Sequence, residues 1–164
     1  MVWETNAQHV LSLVPKRRSR YEPAYSKKGA VMNTSMATKE YMAASLVTFT
    51  PDTDVMQAIS VLVEHRISGA PVVDSHGNLV GLLSEKDCLK VAMQSGYYEQ
   101  SGGKVSEYMT PNVQTVESET SILEVAKLFI EKDPRRYPVV EDNRLVGQIS
   151  RRDILKALLA VSHS

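Results

Sequence analysis

The sequence predicts an α/β fold made of two β-α-β-β-α repeats packed about a pseudo-two-fold axis. The first observation is duplication. Glu40-Tyr41-Met42, Pro71-Val72-Val73-Asp74 and Leu79-Val80-Gly81-Leu82-Leu83-Ser84-Glu85-Lys86-Asp87 recur as Glu107-Tyr108-Met109, Pro138-Val139-Val140-Glu141 and Leu145-Val146-Gly147-Gln148-Ile149-Ser150-Arg151-Arg152-Asp153. The offset is 67 through the Pro-Val-Val segment and 66 from Val-Gly onward, one residue being lost in the intervening loop. Self-similarity at fixed spacing is the mark of a structural repeat. The second observation is size: a unit this short buries too little apolar surface alone, so the two must share packing and leave a cleft between them. The third is that helix-start signals recur in the same register.

Each element follows from local chemistry. Val47-Thr48-Phe49-Thr50 and Val113-Gln114-Thr115-Val116 are short and β-rich. Asp54-x-x-Gln57 and Ser121-x-x-Glu124 then read as capping boxes, in which the first side chain satisfies an exposed helix N–H and the second reaches back. Val55, Met56, Ile59, Leu62 and Val63 recur at helical spacing, as do Ile122, Leu123, Ala126, Phe129 and Ile130, so each helix carries an apolar face. His65 and Arg66 end the first of these helices, where cations suit the negative dipole end. Two strands follow each helix, Pro71 to Asp74 with Leu79 to Leu83 and Pro138 to Glu141 with Leu145 to Ile149, separated by turn residues as hairpins. A second helix runs from Glu85 to Gln94, stopped by Ser95-Gly96, and its counterpart from Arg151 to Val161.

These elements set the domain plan: an arm over residues 1–35, repeat 1 over 36–95, a linker over 96–106 and repeat 2 over 107–164. The arm differs in texture, with Lys16-Arg17-Arg18-Ser19-Arg20 and Lys27-Lys28-Gly29. Seven Lys and Arg face three Glu up to residue 40, so this part carries about +4 and the body about −4, an asymmetry hidden by whole-chain neutrality. The arm is read as a solvated extension ahead of a tether for nucleic acid or anionic lipid, because the basic cluster is short and has little aromatic interleaving. In the Gly- and polar-rich linker, Tyr97 and Tyr98 are read as packing on a neighbouring repeat before a role covering the cleft.

Composition excludes several classes of function. Lys plus Arg equals Asp plus Glu at 19 each, which gives no bulk field for nucleic acid. The lone cysteine, Cys88, forms neither an intrachain disulfide nor a thiolate metal cage, and fits a reducing compartment. His9, His65, His76 and His163 have no paired ligand spacing, and no nucleophile–base set is apparent, so no enzyme and no metal site is expected. No run reaches the length of a membrane span, and Met1-Val2-Trp3-Glu4 lacks the order of a signal peptide; a soluble, cytoplasmic protein is expected.

The chemistry sits in the repeated Gly-h-h-Ser-x-x-Asp element, where a strand enters a helix. Free N–H groups at a helix start attract polar ligand groups, and a first-turn carboxylate can accept two hydrogen bonds from vicinal hydroxyls such as those of ribose. The same residues also make ordinary N-caps, so the element alone does not decide.

The ordered set of Tyr-Met, Pro-Val-Val, Val-Gly and Ser-x-x-Asp, found twice, resembles a tandem pair of CBS domains, a Bateman module, over residues 40 to 95 and 107 to 161. The resemblance implies a regulatory module that binds an adenine nucleotide (AMP, ADP or ATP) or an adenosyl compound in clefts between the repeats. It implies that each cleft takes its ribose-binding Ser and Asp from one repeat and its adenine-facing backbone from the other. One cleft then combines Ser84 and Asp87 with Val113, Arg135, Arg136 and Tyr137, with Arg152 in phosphate reach. The other combines Ser150 and Asp153 with Val47, Thr48, Gly69 and Ala70, and with Lys86 placed like Arg152. Arginines suit phosphate and favour the first cleft, whereas the bulk of Tyr137, which either stacks on a base or fills the pocket, favours the second. The implied partners are the nucleotide, a second copy of the chain in a homodimer, and a regulated protein. Rival readings are a ligand-free scaffold that dimerises through its helices, and a nucleic-acid-associated regulator using the arm.

Overall fold

In the computed structural model of the protein, residues 36–95, 102–132 and 134–162 are described. The basic arm, Tyr97 and Tyr98 lie outside them. Helix α1 (Val55–His65) starts at Asp54, whose Oδ1 accepts from the Gln57 amide at 3.0 Å, and ends at Arg66 in the left-handed conformation. Strands β1 (Gly69–Val73) and β2 (Leu79–Ser84) pair antiparallel, and α2 (Glu85–Ser95) follows directly. Repeat 2 has a short helix α3 (Val105–Tyr108), strand β3 (Val116–Glu117), helix α4 (Ile122–Lys132), the β4 (Arg136–Glu141) and β5 (Arg144–Ser150) hairpin, and α5 (Arg151–Ser162). At the start of α4 the capping box is reciprocal: Ser121 Oγ accepts from the Glu124 amide, and Glu124 accepts from the Ser121 amide, each at 3.3 Å.

The first strand of each repeat is shorter than its β-rich composition suggests. In repeat 2 it is two residues long and pairs parallel with β4; in repeat 1 it is a single parallel bridge between Phe49 and Val72, held by Phe49 N to Pro71 O at 3.0 Å and Val73 N to Phe49 O at 2.9 Å. The hairpin turns explain the change of register. The shorter one places Asp142 and Asn143 at φ of 48° and 66°, the paired left-handed geometry of a tight hairpin, while the longer one uses Gly77 at 83°. The two tips bond to each other, Leu79 N to Asn143 O and Leu145 N to Gly77 O, both at 3.0 Å.

The segments that open the repeats are exchanged. Met36, Tyr41 and Met42, which open repeat 1, pack on the core of repeat 2, formed around Ile122, Val125, Phe129, Tyr137, Val139 and Ile149. Val105, Tyr108 and Met109, at the opening of repeat 2, pack on the core of repeat 1 around Phe49, Ala58, Leu62, Val72 and Leu83. Backbone bonds run in pseudo-symmetric pairs: Ile122 N to Met36 O with Val55 N to Gly103 O, and Thr38 N to Thr120 O with Val105 N to Thr53 O. At the surface the equivalent acids Asp52 and Glu119 each pair with a lysine of the other opening segment, Lys104 and Lys39, at positions that are not equivalent. The repeated glycines make room for the repeated methionines. A Cβ on Gly147 would lie 2.4 Å from Met42 Sδ and 2.9 Å from Ala43 O, and one on Gly81 would lie 2.6 Å from Met109 Sδ and 3.1 Å from Thr110 O. Tyr-Met and Val-Gly are therefore two halves of one contact, made across the duplication.

The buried helix faces are Val55, Ala58 and Leu62 on α1 and Ile122, Val125 and Phe129 on α4. Met56, Val63, Leu123 and Ile130, expected on the packed faces, are exposed, Ile130 at 83%. With Leu89 and Met93 on α2 and Leu155 and Leu159 on α5, they leave large apolar side chains on the outer surface of all four long helices. No helix among the described residues is long and apolar enough to cross a membrane.

Candidate functional site: two unequal clefts

Strand β2 runs into α2 at Ser84, and β5 runs into α5 at Ser150, so both Ser-x-x-Asp elements begin helices. Each motif closes a cap. Ser84 Oγ donates to Asp87 Oδ2 at 2.6 Å and the Ser84 amide donates to the same oxygen at 3.1 Å. Ser150 Oγ and its amide donate to Asp153 Oδ2 at 2.7 and 3.0 Å.

The second carboxylate oxygens differ. Asp87 Oδ1 accepts from Lys90 Nζ at 3.1 Å and the side chain is only 7% exposed; Asp153 Oδ1 has Lys156 Nζ at 3.5 Å and the side chain is 20% exposed. Burial pushes the Asp87 carboxyl up, but the hydrogen bonds from Ser84 and Lys90 outweigh it and hold the group below the usual aspartate range. The neighbouring Cys88 thiol is pushed up by burial and by the Asp87 and Glu85 carboxylates, which makes it a poor nucleophile. Among the described residues no His, Cys, Asp and Glu group could hold a metal ion.

Two clefts lie between the repeats. The one at Ser84 has a volume of about 270 Å³ and brings together Ser84, Val113, Arg135, Arg136 and Tyr137, as expected, with Ser68, Gly69, Leu82, Gln114 and Pro134. Asp87 does not line it; its carboxylate is held by Ser84 on one oxygen and Lys90 on the other and is almost wholly buried. The Tyr137 ring packs in the core of repeat 2, 4.9 Å from the Phe129 ring centre, and its hydroxyl donates to Leu128 O at 3.2 Å. Tyr137 is 2% exposed, so its ring offers no face for a base to stack on. Arg152 is exposed and lines neither cleft; its neighbour Arg151 reaches Pro134 O at 2.9 Å instead.

The other cleft, of about 300 Å³, brings Ser150 and Asp153 together with Val47 and Gly69. Thr48, Ala70 and Lys86 are placed elsewhere. Extended chain alternates its side chains, so where Val47 and Gly69 face the cleft, Thr48 is exposed and Ala70 enters the core; Lys86 is exposed on the first turn of α2. Gly69 admits no side chain, since a Cβ there would lie 2.8 Å from Leu83 O. Arg136 and Gly69 each line both clefts; they occupy equivalent positions, paired with Ser150 and Ser84 respectively. Sequence reasoning missed Leu46, His65, Ile67 and Gln148 in this cleft. Only Gln148 left a signal, as the polar break in an otherwise apolar Gly-h-h-Ser element.

The profile of the CBS domain matches residues 38–94 and 105–160. The chain is 34% identical over 140 residues to the CBS domain-containing protein CBSX1, chloroplastic, of Arabidopsis thaliana, covering 70% of this chain and 59% of that one. It is 35% identical over 118 residues to inosine-5'-monophosphate dehydrogenase of Methanocaldococcus jannaschii, covering 71% of this chain and 22% of the enzyme. The chain thus spans less than two thirds of the length of either relative. Among solved structures, CBSX2 in complex with AMP superposes with a TM-score of 0.68 at 30% identity, over 77% of this chain and 98% of that one. The CBS domain pair of protein MJ0100 in complex with 5'-methylthioadenosine and S-adenosyl-L-methionine superposes with a TM-score of 0.64 at 27% identity, over 78% of this chain and 99% of that one. With both repeats matched and the openings exchanged between them, the chain belongs to the CBS domain family as a tandem pair.

Proposed function

We propose that this protein is a non-enzymatic sensor that binds an adenine nucleotide or adenosyl compound between its repeats. The observation that carries the reading is the Ser150/Asp153 cleft, where a partly exposed carboxylate from repeat 2 faces Val47 and Gly69 of repeat 1. Its volume of about 300 Å³ is at the lower end for small-molecule pockets. The complexes of CBSX2 with AMP and of MJ0100 with adenosyl compounds support the ligand class. Ser150 and Asp153 hold the ribose diol, Val47, Ile67 and Gly69 bound the base, and Arg136 meets a phosphate. A ligand held by both repeats favours the arrangement of repeats that fits it, and that difference is what a regulated partner reads.

The second copy is argued from the large apolar side chains exposed on every one of the helices α1, α2, α4 and α5. A closed two-fold homodimer covers them. A reducing compartment suits buried Cys88, and the cytoplasm is proposed, although the relative CBSX1 is a chloroplast protein.

Thermal melting with AMP, ADP, ATP, S-adenosylmethionine and methylthioadenosine tests the ligand. A bound compound raises the midpoint by mass action; no shift with any of them at millimolar concentration rejects the reading in favour of a scaffold. Light scattering at tens of micromolar is expected to give twice the 18.2 kDa chain mass, and a monomer mass rejects the dimer.

A further inference from the structure

We infer that Gln148 is a specificity-determining residue of the Ser150/Asp153 cleft, donating its amide Nε2 hydrogen to a ring-nitrogen acceptor of the bound purine. Among the described residues, Gln148 Nε2 is the buried side-chain nitrogen left without a hydrogen-bond partner, and the residue as a whole is 6% exposed. Buried polar groups are nearly always paired, so an orphaned donor on a residue that lines a cleft points to an acceptor that arrives with a ligand as the side chain turns toward it.

The backbone cannot relieve it. Gln148 N donates to Ala43 O at 2.9 Å and accepts at its own carbonyl from Ala43 N at 2.8 Å, which locks β5 against the opening segment of repeat 1. Strand alternation turns Ile149 into the core, fully buried, and places Gln148 and Ser150 on the opposite face. Ser150 leads into the cap with Asp153. Gln148 stands one step along the same face, in the cleft whose remaining wall includes Leu46, Val47 and Ile67. A flat apolar ring with acceptor atoms on its edge fits that wall and the stranded donor together; a purine has ring nitrogens of this kind.

The duplication supplies the control. The position equivalent to Gln148 is Leu82, which lines the Ser84 cleft and offers no hydrogen bond. The two clefts therefore differ in what they ask of a base. The apolar one accepts any ring of suitable shape, and the Gln148 one rejects a ring that lacks the acceptor, because such a ring leaves the amide unpaired.

The inference rests on the proposed nucleotide reading, and calorimetry on the full-length protein separates the two. AMP and S-adenosylmethionine serve as adenine-bearing probes, with the 1-, 3- and 7-deaza analogues of AMP, each lacking one ring nitrogen. In Gln148→Leu, which installs the residue of the other repeat, AMP affinity is expected to fall about tenfold. The unliganded melting temperature is expected to hold or rise, since the substitution removes an unpaired buried donor; a merely structural glutamine gives the opposite sign. One deaza analogue is expected to bind wild type about as weakly as AMP binds the variant, and to bind both proteins alike. Gln148→Met, unbranched and of similar length, repeats the measurement without a branched side chain beside Ala43. If Gln148→Leu and Gln148→Met bind AMP as tightly as wild type while Asp153→Ala weakens it, the nucleotide reading stands and the role of Gln148 is overturned. If all three deaza analogues bind wild type like AMP, the ring-nitrogen contact is overturned. If neither AMP nor S-adenosylmethionine binds wild type, both fall together.

Discussion

The Ser84 and Ser150 clefts carry the same motif at the same place in the fold, yet one carboxylate is sealed and the other remains in reach. Asp87 satisfies both its oxygens at the start of α2, through Ser84 just before the helix and Lys90 one turn on. Asp153 makes the same cap but keeps Lys156 farther away and stays more open. A Ser-x-x-Asp sequence therefore specifies a helix start in both repeats, and the two copies differ in how closely the lysine three residues on approaches and in how far the carboxylate is exposed. The charge argument, which placed the arginines with Ser84, does not separate the clefts either, since Arg136 lines both.

The sharpest break of this comparison is the pair Asp153→Ala and Asp87→Ala. A hydrogen bond to a charged group contributes roughly 1.5–3 kcal/mol, so Asp153→Ala is expected to weaken AMP binding by about ten- to a hundredfold. Asp87→Ala is expected to leave that affinity nearly unchanged and to lower stability by about 2 kcal/mol, because it removes a buried acceptor of three hydrogen bonds. Calorimetry and urea unfolding measure the two effects, and a reversal of the pattern would assign the ligand to the Ser84 cleft.

The exchanged openings are compared by Gly147→Ala and Gly81→Ala. Overpacking of a filled site costs about 1–3 kcal/mol, and Gly147 is expected to fall at the upper end. There the new Cβ meets a backbone oxygen at 2.9 Å as well as the methionine, against 3.1 Å at Gly81. Equal unfolding midpoints for the two variants would show that Met42 and Met109 yield alike and that the backbone approach is unimportant.

A smaller effect is expected from Arg136→Ala. The preference for AMP over adenosine should fall by about threefold to tenfold and lose its salt dependence, while adenosine affinity holds, because charge-assisted contacts at partly exposed sites are stronger than neutral ones and are screened. If AMP and adenosine bind wild type equally, Arg136 carries surface charge and no phosphate contact.

The smallest effect is in the acid limb of stability. Asp87 has a lower pKa folded than unfolded, where an aspartate titrates near about 3.9. Its stabilising contribution is complete above that unfolded value and is lost as pH falls through the lower folded one. Unfolding midpoints measured from pH 6 downward should therefore converge for wild type and Asp87→Ala below about pH 4. A constant gap across that range would mean that the carboxylate charge contributes nothing.

How far the chain could be read in advance differs by element. The helix starts at Asp54 and Ser121 and the hairpin at Asp142-Asn143 were legible, because a cap or a tight turn is made by residues a few positions apart. The packed helix faces were half legible. Periodicity found α1 and α4, but Met56, Val63, Leu123 and Ile130 share the apolar signal of the core while facing outward. An apolar side chain does not state which surface will cover it. Of the expected cleft residues, Ser84, Val113, Arg135, Arg136 and Tyr137 do meet in one place, and Val47, Gly69, Ser150 and Asp153 in the other. Thr48 and Ala70 fell out on strand parity, and Lys86 and Arg152 on helix rotation, both of which turn on a single residue of register.

The duplication, the βα grammar of each repeat and the family likeness were all present in the linear order of residues, since they rest on patterns and spacings that survive without coordinates. The exchange of the openings and the unpartnered amide nitrogen of Gln148 in a cleft shared with Val47 and Gly69 emerged only when the two repeats were brought together. Each is a contact or a missing contact between residues far apart in the chain, and what decides it is whether a second group arrives within about 3 Å of a buried polar atom.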